Sequence, residues 1–81
     1  MSSPVAIDVT AVWEPNTDGK PRWVCRVGNI IGSALLHPQL AASRLAYHLN
    51  IRRARVTFLG ASRPSPAAPF EHRFNIRGVQ V

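Results

Sequence analysis

The chain has 81 residues, 46% of them apolar, and a formal net charge of +6, with a sequence pI near 11.5. Residues 1–81 are therefore one domain with a thin core, since a chain of this length buries only about 60% of its unfolded surface. The apolar content excludes a disordered basic tail, and the single cysteine, Cys25, excludes an intrachain disulfide.

Val5 to Trp13 alternates. Val5, Ile7, Val9, Ala11 and Trp13 point one way and Ala6, Asp8, Thr10 and Val12 the other, the pattern of a half-buried strand. Pro15-Asn16-Thr17-Asp18-Gly19 reads as a hairpin loop. Strand two is expected from Arg22 to Val27. Trp23, Cys25 and Val27 share one face, and Arg22, Val24 and Arg26 share the other. In Gly28 to His37, the Ile30-Ile31 pair sits between Gly28-Asn29 and Gly32-Ser33. It either extends strand two through a glycine bend or forms a short third strand.

The clear helix runs from Pro38 to about Asn50. Proline suits the first helical position, the residue before it should be extended, and Asn50 suits a left-handed end. Ala41, Ala42, Leu45, Ala46 and Leu49 form one apolar stripe, and the small alanines allow close approach to a sheet. Leu40, Arg44 and Tyr47, with Ile51 if the helix reaches it, fall on the opposite side. That stripe is either a dimer or partner contact, or is covered by the Gly28–His37 segment or the Pro-rich loop.

A further strand is expected from about Arg53 to Leu59. Ala54, Val56 and Phe58 face one way; Arg53, Arg55 and Thr57 face the other. Residues 61–69 are rich in Pro, Ser and Ala and read as a loop. Within it, Arg63-Pro64-Ser65-Pro66-Ala67-Ala68-Pro69 fits the Arg-x-x-Pro-x-x-Pro pattern of polyproline ligands, which recurs by chance in such loops. The last strand starts at Phe70, where Phe70, His72, Phe74 and Ile76 alternate with Glu71, Arg73, Asn75 and Arg77, and Gly78 either bulges or ends it. The order β-β-(β)-α-β-β predicts an α+β two-layer sandwich: an antiparallel sheet of about four strands with one helix on one face.

The charge is almost all arginine, nine Arg against one Lys, and Asp and Glu are absent between Gly19 and Phe70. The guanidinium fork grips phosphate or carboxylate with two parallel hydrogen bonds. Strand parity sends Arg22, Arg26, Arg53, Arg55, Arg73 and Arg77 to the sheet face away from the helix. Six like charges on one face call for an anionic partner: an acidic protein surface, a nucleoprotein complex, or the backbone of a nucleic acid. Trp23, Phe58, Phe70 and Phe74 share parity with the core instead, so base stacking is not expected of the arginine face.

Catalysis finds little support. Parity places Cys25 in the core, where a thiol is inert, and no motif joins it to His37, His48 or His72. The acids Asp8, Glu14, Asp18 and Glu71 are too scattered for a carboxylate pair. Metal-ligand spacing and phosphate-cradling glycine loops are absent, so neither metal nor cofactor is expected. Without a basic apolar leader or an apolar run of about 18 residues, the expected location is the cytoplasm rather than a membrane, as a monomer or homodimer.

In size, and in the strand-strand-helix-strand order from Val5 to Leu59, the chain resembles small phage-encoded anti-CRISPR proteins. That resemblance implies an inhibitor without catalytic residues that occupies a surface of a host complex, in the host cytoplasm. The chain departs from the acidic nucleic-acid mimics of that group by the sign of its charge, so the resemblance implies docking rather than mimicry.

Overall fold

The computed structural model describes residues 2–14, 21–63, 65–66 and 70–81. The expected Pro15–Gly19 hairpin loop lies outside them, as does much of the 61–69 loop with its polyproline-like motif. The elements are β1 (Ser3–Glu14), β2 (Arg22–Val27), β3 (Ile30–Ala34), α1 (Pro38–His48), β4 (Ile51–Ser62) and β5 (Glu71–Gln80). They form a five-stranded antiparallel sheet in the order β3-β2-β1-β5-β4, an α+β fold with one strand more than the four expected. The additional strand is β3. Gly28 and Asn29 turn the chain back onto β2, with Gly28 at φ 58. Glycine at the first central position of a two-residue turn suits the right-handed twist of a hairpin.

The connection from β3 through α1 to β4 carries the chain from one edge of the sheet to the other. Five strands span about 19 Å and an eleven-residue helix about 16 Å, so one helix suffices for the crossing. His37 is extended (φ −129, ψ 124) before Pro38, as expected. At the other end Asn50 takes the left-handed conformation (φ 61). The Leu49 N–H still reaches the Leu45 carbonyl at 3.0 Å, and the Gln80 side chain donates to the Leu49 carbonyl at 3.0 Å.

Ala41, Ala42, Leu45 and Ala46 of α1 are buried against Val9, Ala11, Cys25, Ala34, Ile51, Phe74 and Ile76. The helix seats directly on Gly32 of β3: a Cβ there would lie 2.4 Å from the Ala41 carbonyl oxygen and 2.4 Å from the Leu45 nitrogen. Gly32 is thus a packing surface rather than a bend. Arg44 anchors the same edge, donating from Nη1 to the Ser33 carbonyl at 2.7 Å.

Register defines two faces. Val9↔Phe74, Ile7↔Ile76, Ala11↔Cys25 and Trp13↔Trp23 lie on the helix side. Thr10↔Arg73, Ala6↔Arg77, Glu14↔Arg22 and Val12↔Val24 lie on the outer side. Among the described residues no second layer covers that outer side.

Candidate anion-binding face and aromatic platform

The outer face carries Arg22, Arg26, Arg55, Arg73 and Arg77, as strand parity predicts. Arg53 does not follow. The ladder slips between Arg52 and Arg55, and Arg53 sits in this bulge with φ 54. One extra residue shifts the alternation, so Arg52, paired with Val79, takes the outer position instead. Gly78 of β5 accommodates the bulge, with Arg52 and Ile51 atoms where its Cβ would be. The irregularity near Gly78 therefore belongs to β4, while β5 runs on to Gln80.

Folding also brings acids into the cationic surface. Asp8 pairs with Asn75, Glu71 with Val12 and Glu14 with Arg22, all on the outer face. Arg26 grips Glu14 with both terminal guanidinium nitrogens, Nη1 and Nη2, at 2.5 and 3.1 Å. That bridge crosses the Val12–Val24 pair between them in register, and Val24 is buried on a face otherwise open to solvent. The Arg26 hydrogen bond holds the Glu14 carboxyl below its ordinary pKa; desolvation opposes it, and the charges of Arg26 and Arg22 add to the lowering. One of the two arginines on the β2 side of the face is thereby paired with a carboxylate.

The β4–β5 side is different. Arg55 stands directly opposite Arg77, an arrangement that like charges disfavour. Arg52 and Arg73 lie on either side along the two strands. Among the described residues the ion pair on this face is Arg26–Glu14, and none of these four arginines forms one. Arg77 Nε donates to Asn75 Oδ1 at 3.1 Å, and Asn75 Nδ2 donates to Asp8 Oδ1 at 2.8 Å. Arg55, Arg77, Thr57, Asn75, Asp8 and Leu59 line an open hollow of about 470 Å³. Among the described residues the β4–β5 half of the face thus carries four arginines outside any ion pair.

The outer helix stripe shrinks. Leu40 and Tyr47 are exposed, Tyr47 to 77%. Arg44 on the same side is tied to β3. Ile51 is not on the helix: it opens β4, 7% exposed, in the core. The left-handed turn at Asn50 reverses the chain before Ile51, so the helical spacing that grouped it with Tyr47 does not apply.

The helix side holds a surface that parity reasoning overlooked. Trp23, Phe58 and Phe74 do share the core side, but the molecule is 43 Å long and a helix is about 10 Å across. One end of the sheet lies beyond it. There the rings of Trp13 and Trp23 (centroids 5.3 Å apart), Trp23 and His72 (4.7 Å) and His72 and Phe58 (5.6 Å) cross four strands. Ala11, opposite both Cys25 and His72, is small enough for Trp23 to reach His72 over β1. Phe58 is 53% and Phe70 50% exposed, with Leu35 and Leu36 exposed beside them. The Arg63 guanidinium lies 4.6 Å over the Phe70 ring.

Cys25 is fully buried, and burial pushes its thiol up to about 11. Ala11 separates it from His72, two strand spacings or about 10 Å along the sheet, so the two do not form a nucleophile–base pair. No helix among the described residues is long and apolar enough to cross a membrane. Comparisons with protein-family models, curated proteins and solved structures returned no match.

Proposed function

We propose that the chain is a non-enzymatic binding protein. It docks on the anionic surface of a nucleic-acid-handling complex, holding phosphate oxygens with Arg52, Arg55, Arg73 and Arg77. The observation that carries this reading is the Arg55–Arg77 pair, two like charges directly opposed on an open sheet face. Such a pair costs the free protein stability. An anionic oxygen between the two forks turns that cost into binding free energy, and Arg52 and Arg73 extend the grip along the strands. Backbone phosphates carry no sequence information, so the docking is tolerant of sequence. The inhibitor role implied by the anti-CRISPR resemblance is one form such docking takes, and a cytoplasmic location accords with it.

The test is titration of generic duplex and single-stranded nucleic acid at two salt concentrations, with wild type and with Arg55→Glu/Arg77→Glu. The reading expects salt-sensitive binding that the double reversal largely removes. Equal binding by both proteins would move the site off β4–β5. Absence of binding even at low salt would replace phosphate with an acidic protein surface.

A further inference from the structure

We propose that the aromatic platform binds single-stranded nucleic acid by stacking unpaired bases. This inference concerns the opposite face of the sheet and does not depend on the arginines of β4 and β5. Three observations meet there. First, the rings are continuous: Trp13 on β1 meets Trp23 on β2, Trp23 reaches across β1 to His72 on β5, and His72 meets Phe58 on β4, with these centroids 4.7–5.6 Å apart. Second, they are partly open among the described residues: Phe58 is 53% and neighbouring Phe70 50% exposed, while Trp13, Trp23 and His72 are half-buried. The first turn of α1 only borders them, leaving one groove of about 420 Å³ along His37, Pro38, Phe58 and His72, and another of about 380 Å³ along Trp13, Trp23, Leu36 and Phe70.

Third, charge selects the occupant. By register Asp8, Glu14 and Glu71 all lie on the outer face, so among the described residues the helix side has no side-chain carboxylate. The Arg63 guanidinium lies over Phe70 at the edge of the platform, and the chain carries +6 overall. A second copy of this chain would bring another +6 against the first. A strand of unpaired nucleotides brings flat bases for the rings and phosphates for the cations, and needs no sequence-specific contact because every base has a stacking face.

Tryptophan fluorescence reads this directly, because Trp13 and Trp23 are part of the platform. The experiment titrates the intact protein with a thymidine single strand, an abasic strand of equal length and a duplex of equal length. The expected result is quenching by the thymidine strand, with affinity about five-fold or more weaker for the abasic strand. Phe58→Ala, at an exposed position, should lose a similar factor; Phe70→Ala is the second variant should the first not fold. The Arg55→Glu/Arg77→Glu protein should keep its preference for the thymidine over the abasic strand, which separates this inference from the arginine reading. Equal binding of abasic and thymidine strands, or an unchanged preference in both phenylalanine variants, would overturn it. A dimer by light scattering that Phe58→Ala dissociates would assign the platform to a second copy and overturn it equally.

Discussion

Arg55→Glu should make the free protein more stable and its binding weaker, two effects of opposite sign from one substitution. Arg77 faces Arg55 directly across β4–β5, and both are exposed. Repulsion between exposed like charges at that separation costs about 0.2–0.5 kcal/mol, and an opposite pair gains about as much. The swing is therefore about 0.4–1 kcal/mol, which for a domain of this size raises the melting temperature by roughly 2–8 °C. Thermal and urea unfolding at low salt measure it, and the gain should vanish at molar salt, where the screening length falls to about 3 Å. The same variant should bind polyanions more weakly, because one fork of the opposed pair has become a carboxylate. A residue that serves only the fold would lose stability when its charge is reversed. Destabilisation by Arg55→Glu, or stabilisation with undiminished binding, would refute the assignment of this pair to a partner.

Gly32→Ala should cost about 1–3 kcal/mol, since its Cβ would meet helix backbone at 2.4 Å and α1 must lift from β3; urea unfolding measures it, and wild-type stability would mean the helix is not seated there. Leu45→Ala, in the fully buried centre of the helix stripe, should cost about 2–5 kcal/mol by the same assay. Cys25 should resist a thiol-disulfide reagent near neutral pH and react once the protein is unfolded, because burial pushes its pKa to about 11; rapid labelling of the folded protein would contradict that. The Glu14 carboxyl is held low by Arg26, so its contribution is present above the usual carboxylate range and is lost as pH falls through the lowered folded value. Acid titration of Glu14→Gln should accordingly show less stability lost on acidification, by no more than about 1 kcal/mol for so exposed a bridge.

Alternation made β1, β2 and β5 readable because every residue of those strands pairs in register, so side chains at odd and even positions keep their faces throughout. The helix ends were readable because proline and asparagine act on their own backbone. Arg53 was not readable. Nothing in Arg52-Arg53-Ala54-Arg55 signals that one residue will take a left-handed conformation; the bulge follows from the fit of β4 against Gly78. The acids were misjudged for a related reason. Distance along the chain placed Asp8, Glu14 and Glu71 outside the cationic window, while strand pairing set them among the arginines. The platform was missed because parity states which side a residue is on, not whether anything covers it. Comparing lengths would have exposed the gap. Twelve strand residues reach about 40 Å, and a single helix crossing them covers a band about 10 Å wide.

The central claim is that four arginines on β4 and β5 hold phosphate, and the slope of log affinity against log salt for generic duplex tests it most directly. Four contacts give a slope of roughly −3.6, so affinity should fall roughly 150-fold between 50 and 200 mM salt. For Arg55→Glu/Arg77→Glu the slope should shrink to roughly −1.8 or less, a fall of about 12-fold over the same range. A slope that the double reversal leaves unchanged would contradict the account.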